Sequence, residues 1–167
     1  MSTPSQPLAY AQLQTPIGPV LVLVSRRGLA GVRFGSRPPA GAQLDAAATA
    51  PACAQLQEYF SGRRRQFQLK LDWSGTPFQR RVWRSLLRIP YGQTRSYGQI
   101  ARRMRPAGYE HLARAVGGAN RSNPWAIVVP CHRVLGADGS LTGYGGPRGV
   151  NKKRWLLQLE QHPAARH

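Results

Sequence analysis

Acidic residues are scarce in this chain. Its 167 residues include 6 Asp and Glu against 24 Lys and Arg, which gives a formal net charge of +18. Such an excess argues against cationic partners and favours polyanions, nucleic acid above all. Residues 1–75 carry 8 basic and 3 acidic side chains, whereas residues 76–167 carry 16 and 3. We therefore expect the binding surface in the second part of the chain, with merely solvated arginines as the alternative that composition leaves open.

Cysteine is nearly absent as well. Cys53 and Cys131 lie in unlike local contexts, and we expect both to remain thiols. The four histidines show no Cys/His spacing of the zinc kind. No apolar run reaches the roughly 18 residues of a membrane helix, and the stretch MSTPSQPLAY lacks the basic start and apolar core of a secretion signal. These absences predict a soluble, cytoplasmic protein with no metal and no other cofactor.

The first part of the chain is predicted to be a small sheet with one helix. Apolar runs alternate with the turn signals TPIGP and SRRG between Leu8 and Phe34, a pattern typical of an antiparallel meander. The stretch FQLKLDW predicts one more strand, and SGTP marks a boundary. The stretch PACAQLQEYFSG predicts a helix whose buried stripe comprises Cys53, Leu56, Tyr59 and Phe60. The fold class is therefore α+β, with an N-terminal α/β domain at 1–74 and a mainly helical domain at 75–167.

The second part begins with two strongly signalled helices. Thr76 is a good N-cap, Pro77 suits the first helical position and Gln79 completes a capping box. In SYGQIARRM, Ser96 and Gln99 repeat the device. A turn containing RPAG leads to YEHLARAVGG, so the sequence predicts a helix-turn-helix. The small residues of this last helix allow close approach to a DNA groove, but a plain packing unit remains the alternative.

The stretch AIVVPCHRVLG carries the candidate chemistry. Its β-branched run predicts a buried strand that ends at Pro130. Beyond a proline that breaks the ladder, the Cys131 thiol and the His132 imidazole can cooperate as nucleophile and base. A carboxylate would then orient the imidazole, and Glu160, on the amphipathic helix NKKRWLLQLE, is a better candidate than Asp138 in the turn GADGS. A buried thiol and a core histidine without catalytic roles are the alternative.

These motifs together resemble a known family. PCHRV, preceded by RAVGGANRSNP and followed by LTGYGG and KKRWLLQLE, is similar to the active-site block of O6-alkylguanine-DNA alkyltransferases, also called methylated-DNA–protein-cysteine methyltransferases. GTPFQRRVWRSLLRIPYGQTRSYGQIA resembles the start of the same domain, and TPIGPVLVLVSRRGLAGVRF fits the looser N-terminal domain. The segment between the two helices of the helix-turn-helix is longer than the family pattern, and the zinc-binding residues of some members have no counterpart.

The resemblance implies an irreversible, single-turnover repair of O6-alkylguanine, with O4-alkylthymine left open. The helix-turn-helix would bind the minor groove of double-stranded DNA, and the damaged base would be flipped into a pocket. Cys131 would take the alkyl group, His132 would act as base through a water, Glu160 would hold the histidine and Asn123 the adjoining turn. Tyr97 would assist base rotation and protonate guanine N3, while Arg114 would fill the gap. The remaining implied DNA contacts are Ala113, Gly117, Gly118 and Arg121, and the implied pocket residues are Val134, Tyr144 and Gly145.

Other classes remain open on the sequence. A lesion-binding protein that recruits other repair factors would lack the cysteine, so Cys131 argues against it. An arginine-rich DNA-binding regulator would show several base-reading side chains within residues 109–118. A cysteine hydrolase would need an oxyanion-hole motif, and only scattered glycines are present. We expect a monomer on DNA and leave cooperative binding open.

Overall fold

The computed structural model describes residues 8–105, 109–144 and 147–161. It divides into two compact units. The first ends at Gly75 and also includes Pro124–Val128, whereas the second contains Thr76–Asn123 and resumes at Val129. The fold class is the α+β arrangement predicted from the sequence, with an N-terminal sheet and, among the described residues, five α-helices. No helix among the described residues is both long and apolar enough to cross a membrane.

The first unit is a four-stranded sheet with one helix. Strands β1 (Ala9–Thr15), β2 (Gly18–Ser25) and β3 (Gly28–Phe34) form the predicted antiparallel meander, and the short β4 (Gln43–Leu44) pairs in parallel with β1. Two-residue turns join the first three strands, which fixes their register. At the second turn a Cβ on Gly28 would collide with the carbonyl of Lys70, so this position requires glycine.

Helix α1 (Ala46–Phe60) begins five residues before the predicted helix, because Asp45 caps it by accepting a hydrogen bond from the Ala48 amide at 3.0 Å. Its buried residues are Thr49, Ala52, Leu56 and Tyr59, whereas Cys53 is only half-buried. The strand predicted from FQLKLDW is wrong. In this stretch Leu71 makes an isolated bridge to Leu29. The Gln55 side chain hydrogen-bonds to both the amide and the carbonyl of Gln68.

Three helices form the helix-turn-helix region of the second unit. Helix α2 (Pro77–Leu86) and helix α3 (Tyr97–Met104) both begin with the predicted capping boxes, at Thr76 with Gln79 and at Ser96 with Gln99. Helix α4 (Tyr109–Arg121) packs against both. The extra residues of the turn that leads into α4 include 106–108, which lie outside the described residues.

The rest of the second unit follows α4. A single 3₁₀ turn (Cys131–Arg133) leads into β6 (Val134–Leu135), which pairs in parallel with β5 (Arg95–Ser96) just before α3. Helix α5 (Pro147–Gln161) contains the predicted amphipathic segment and buries Leu156 and Leu159. Because β5 and β6 pair, the start of α3 is held beside the chain that leaves the 3₁₀ turn.

Candidate active site

The path of the chain into the 3₁₀ turn differs from the predicted strand. Trp125 makes one isolated bridge, to Val32, and the backbone then turns locally. The amide of Val128 donates to the Ala126 carbonyl at 2.8 Å, and Ile127 has a φ of 73°. These apolar side chains are buried as predicted, but Val32 of β3 bonds only the start of the run, at Pro124 and Ala126, and local turns take the amides of Val128 and Cys131. The buried-strand prediction is therefore wrong, because hydrophobic burial does not by itself require ladder pairing.

Cys131 and His132 open the 3₁₀ turn and are both buried, with 5% and 0% of their surfaces exposed. Consecutive residues of a 3₁₀ helix are separated by about a third of a turn, so neighbouring side chains do not point to opposite faces as they do in a strand. The turn is stabilised at its C-terminal end by the Val134 amide, which donates to the Cys131 carbonyl. The local backbone thus removes the geometric objection to cooperation between the thiol and the imidazole.

The Glu160 carboxylate is the centre of the buried polar network. His132 Nε2 lies 2.7 Å from one oxygen, Arg133 donates through Nε and Nη2 at 2.9 Å each, and the Gly92 amide donates at 3.2 Å. The sequence favours Glu160 over Asp138 as the partner of His132, and the structure brings Glu160 to the imidazole. Asp138 is exposed, and its side chain accepts a hydrogen bond from the Ser140 amide in its own turn.

Arg133 is a member of this network that sequence reasoning missed. Besides its two bonds to Glu160, it donates through Nη1 to the Ile89 carbonyl at 2.7 Å, and its guanidinium lies 5.7 Å from the centre of the Tyr91 ring. A bidentate arginine pairs with a carboxylate in a fixed plane. The sequence signal for this role is the position of Arg133 directly after His132. An arginine that is buried together with its neighbour needs a buried counter-charge.

Burial and pairing set the protonation states of the network. Burial opposes ionisation of Glu160, but the hydrogen bonds and charges of His132 and Arg133 outweigh it, so the pKa of Glu160 lies well below its usual range. Burial lowers the pKa of His132 in spite of its bond to Glu160. At neutral pH we therefore assign an ionised Glu160 and a neutral imidazole. Since a carboxylate only accepts, Nε2 carries the proton and Nδ1 is the basic nitrogen.

The thiol of Cys131 is protonated in this resting arrangement. Burial raises its pKa, while Asn123, the charge of Lys153 and the Tyr144 side chain act in the opposite direction. Asn123 also donates through Nδ2 to the Val129 carbonyl at 2.8 Å, which fixes the end of α4 relative to the chain before Cys131. The site therefore holds a neutral nucleophile whose anion has several stabilising groups beside it.

Lys153 is the second residue that the sequence did not single out. It is completely buried, and its Nζ donates to the carbonyls of Val134 and, at 2.9 Å, Thr142. Burial lowers its pKa to about 8, and the nearby Cys131 acts against that shift. A chain with 21 arginines uses only three lysines. The sequence signal for Lys153 is that a lysine stands in α5 although the chain otherwise prefers arginine, which indicates a site too small for a guanidinium group.

The residues predicted to contact DNA share one side of α4. With about 100° of rotation per residue, Ala113, Gly117, Arg121, Arg114 and Gly118 follow one another around an arc of about 140°. Val116, Ala119 and Asn120 are buried on the other side. Arg114 and Arg121 are exposed, and no heavy atom lies within 4 Å of a Cβ built on Gly118. This side of α4 can approach a flat or convex partner closely.

Tyr97, at the start of α3, lies between α4 and the loop that precedes α5. Thr142 Oγ1 is 3.4 Å from its hydroxyl, and a Cβ on Gly117 would lie 3.9 Å from its ring. Tyr144 in the same loop has a φ of 66°, a left-handed conformation that is uncommon for a residue with a side chain. Gly145, the other pocket residue predicted here, lies outside the described residues. The loop thus contacts Tyr97 through Thr142 and Cys131 through the Tyr144 side chain.

Metal binding finds no support in the described residues. Within that part of the chain no group of three or more His, Cys, Asp or Glu side chains is placed to hold a metal ion. The groups that the site presents are a thiol, an imidazole–carboxylate pair and hydrogen-bond donors.

Comparison with known proteins agrees with the motifs. Residues 77–162 match the family profile described as "6-O-methylguanine DNA methyltransferase, DNA binding domain", and residues 8–73 match its "ribonuclease-like domain". A Mycobacterium tuberculosis protein named methylated-DNA–protein-cysteine methyltransferase is 46% identical over 159 residues, which is 93% of each chain.

Solved structures give the same result. The crystal structure of Mycobacterium tuberculosis O6-methylguanine methyltransferase aligns with a TM-score of 0.83 and 47% identity, covering 93% of this chain and 94% of that one. A crystal structure of the Mycobacterium tuberculosis protein described as being in complex with DNA aligns with the same TM-score at 45% identity, over 95% and 94% of the two chains.

The depressed pKa of His132 predicts acid sensitivity. Because the folded pKa lies below the ordinary value of 6.5, the unfolded chain takes up the proton first. This contribution to stability is complete above pH 6.5 and is lost as the pH falls, by at most about 1.4 kcal/mol per pH unit. The free energy of unfolding, measured by denaturant titration at several pH values between 7 and 5, should fall less steeply with decreasing pH for His132→Gln than for the wild-type protein. The exposed His111→Gln is the control and should keep the wild-type slope; equal slopes in all three proteins would contradict the prediction.

Glu160→Gln should be strongly destabilising, because it leaves the buried Arg133 charge without its partner. We expect a loss of about 3–5 kcal/mol in the free energy of unfolding. Glu58→Gln is the matched control, since Glu58 pairs with Arg64 at 2.6 Å where both side chains are partly exposed. Its loss should stay below about 1 kcal/mol. Equal losses in denaturant titrations of the two variants would show that the buried network contributes no more to stability than the exposed Glu58–Arg64 pair.

Proposed function

Since the chain belongs to the methylated-DNA–protein-cysteine methyltransferase family, we propose that it repairs DNA directly, by moving the alkyl group of an O6-alkylguanine onto the sulfur of Cys131. The observation that carries this assignment is the buried thiol next to an imidazole whose other side is held by Glu160 at 2.7 Å. An alkyl thioether is stable, and no group in the site is suited to cleave it. Each protein molecule therefore acts once.

His132 activates the nucleophile. With Nε2 bound to Glu160, the basic Nδ1 takes the proton of the Cys131 thiol, directly or through one water molecule. Glu160 fixes the tautomer and offsets the positive charge that develops on the ring. Arg133 keeps Glu160 ionised and in place, so it acts as a positioning residue. This division of roles explains why the resting thiol is neutral and becomes an anion only when the proton is taken.

Lys153, Asn123 and Tyr144 stabilise the anion once it forms, because each lowers the pKa of Cys131 in the folded chain. Electrostatic stabilisation of this kind is stronger in a water-excluded site than in solution. The thiolate thus gains its stabilisation from groups that are already in position, with no reorganisation at the moment of reaction.

The transfer itself is a displacement at the alkyl carbon. The thiolate forms the new carbon–sulfur bond as the bond from carbon to guanine O6 breaks, and the electron pair passes into the guanine ring. Tyr97 supplies a proton to guanine N3 as this charge develops. The proton that His132 took from Cys131 balances the one delivered by Tyr97. Protein and DNA together supply every atom of the reaction, which needs neither a metal nor a nucleotide.

DNA is held by the exposed side of α4. Glycine and alanine there permit close approach of the helix backbone to the minor groove, and Arg114 occupies the space left when the damaged base rotates out. Arg121, on the same arc, pairs with phosphate. A regulator would instead present several base-reading side chains, and within residues 113–121 this side of α4 offers only these two arginines among small residues.

The flipped guanine enters the space beside Tyr97, Cys131 and Tyr144. The backbone of Cys131 and Val134 meets the base edge, and Lys153 fixes the Val134 carbonyl in orientation. Gly145 is assigned to the pocket wall by its place in the sequence motif alone. The functional form is a monomer on double-stranded DNA. The cytoplasmic location predicted from the sequence stays a prediction, compatible with a DNA substrate.

The proposal is tested by mass spectrometry after the protein is mixed with a duplex that carries one O6-methylguanine. One methyl group per protein molecule should appear, and peptide mapping should locate it on Cys131. Cys131→Ser should bind the duplex and gain no mass, whereas Cys53→Ser, a change at the half-buried cysteine of α1, should react fully. Binding without any gain of mass in the wild-type protein would reject transfer in favour of lesion recognition alone.

Tyr97→Phe should separate chemistry from binding, because it keeps the ring beside α4 and removes the proton donor. We expect the single-turnover transfer rate to fall by about 10²–10⁴-fold, as for loss of a general acid, while affinity for the modified duplex is retained. Tyr10→Phe in β1 is the control and should leave the rate unchanged in a quenched-flow assay. An unaltered rate in Tyr97→Phe would exclude the proton-donor role.

Gly118→Leu tests the approach of α4 to DNA. The position is open within the protein, so the folded state should tolerate the side chain and even gain about 1 kcal/mol in helix propensity. Affinity for DNA should nevertheless fall at least tenfold, because the leucine occupies the space that the groove needs. Fluorescence anisotropy with Gly118→Ala as an intermediate step should give a graded loss. Undiminished binding by the leucine variant would place DNA elsewhere.

A further inference from the structure

A basic groove lies between α2 and α3, and its lining includes none of the residues assigned to catalysis. Five arginines line it, together with small and apolar residues, and its volume is about 580 Å³. We call it the α2–α3 groove and define it by Arg81, Arg84, Arg88, Arg95 and Arg103. We infer that the α2–α3 groove binds the phosphate backbone of a second DNA duplex, distinct from the duplex that α4 contacts. This inference rests on the proposed function, in which α4 holds the first duplex.

The described lining of the α2–α3 groove is strongly basic. None of the described residues that line it is acidic. Arg81 and Arg84 are exposed on α2 at three-residue spacing, where like charges repel and destabilise a helix, and the exposed Arg88 follows just after the helix ends. An anionic ligand would relieve this repulsion.

Two of the arginines are held in orientation by neutral acceptors. Arg95 donates to the Thr94 carbonyl at 2.8 Å and to Gln93 Oε1 at 3.1 Å, and Arg81 Nη2 lies 3.4 Å from the Met104 carbonyl. These bonds restrict the side chains without cancelling their charge. Preorganised guanidinium groups of this kind suit phosphate oxygens.

The α2–α3 groove and α4 lie on opposite sides of α2. Trp83 donates from Nε1 to the Ala119 carbonyl of α4 at 2.8 Å. With about 100° of rotation per residue, Trp83 lies about 160° from Arg81 on α2. On α3, Arg103 lies about 120° from Tyr97 by the same measure. One straight duplex that lies along the exposed side of α4 would therefore not fill the groove.

The lining residues favour duplex phosphates over exposed bases. Single-stranded nucleic acid is usually held by aromatic side chains on which its bases stack, and no aromatic residue occurs among the described residues of the lining. Arginines without aromatic stacking partners bind the phosphates of DNA through charge, independently of its base sequence. A protein that searches DNA for rare lesions would gain from such a site, since a second duplex can be engaged before the first is released.

The test uses the full chain on a short tethered duplex that carries one O6-methylguanine and has room for one protein molecule. A labelled, unmodified duplex is then added, and its capture and the methyl transfer on the tethered duplex are both measured. Arg84→Gln with Arg88→Gln is compared with Arg63→Gln with Arg65→Gln, an equal loss of charge at exposed arginines of the first unit.

Wild-type protein and the Arg63/Arg65 variant should capture the second duplex. The Arg84/Arg88 variant should lose at least about tenfold in capture, and the slope of log affinity against log salt should fall by about two, as expected for two phosphate contacts. Its transfer rate on the tethered duplex should stay within about twofold of wild type, as expected if sequence-independent phosphate contacts to a second duplex play no part in the chemistry.

Several outcomes would overturn the inference. They are absence of capture by the wild-type protein, equal loss in both variants, and a transfer rate that falls in step with capture, which would assign the groove to the substrate duplex. Stronger capture of a single-stranded RNA or of polyglutamate than of the duplex would reassign the partner. Failure of methyl transfer in the wild-type protein would reject the proposed function and leave the capture result to be judged by itself.

Discussion

A carboxylate removed from water is costly unless hydrogen bonds and opposite charge compensate it, and Glu160 is such a group. Its bonds join three places in the sequence: the loop after α2 through Gly92, the 3₁₀ turn through His132 and Arg133, and α5, which carries Glu160 itself. Because removing any one partner leaves polar groups buried without compensation, these segments must keep a single arrangement. The same bonds that hold the second unit together also set the tautomer of His132, so stability and the readiness of the nucleophile depend on one network.

The two functional surfaces of the second unit are connected through the end of α4. Asn123 bonds the Val129 carbonyl at 2.8 Å, and Asn120, buried on α4, approaches the Cys131 carbonyl at 3.5 Å. The helix proposed to meet DNA is thereby tied to the backbone of the proposed nucleophile. Backbone strain is stored close by, at Ile127 and Tyr144, both with positive φ. Such conformations persist only where the surroundings impose them, and here they bracket the reactive turn on both sides in sequence.

Much of this arrangement follows from local signals in the sequence. The capping boxes at Thr76 and Ser96 are written in four residues each, and the meander follows from alternation between turns, so both could be predicted. The choice of Glu160 needed only the scarcity of acids and an amphipathic helix. What could not be predicted depends on distant partners. The run before Pro130 looks like a strand because burial and pairing leave the same apolar pattern. Arg133 and Lys153 look like surface charges, since nothing local shows that their partners are a buried carboxylate and two carbonyls.

The protonation state of His132 in the resting protein is the central claim, because neutral imidazole with the proton on Nε2 is what makes Nδ1 a base toward Cys131. The ring-nitrogen NMR shifts of selectively isotope-labelled histidine report it directly, with His132→Gln used to assign the signal. At neutral pH we expect one protonated nitrogen, Nε2, and one unprotonated nitrogen, Nδ1, and the pattern should persist below the ordinary histidine pKa. Two protonated nitrogens at neutral pH would mean a standing imidazolium beside Cys131, and would contradict activation by proton transfer to His132.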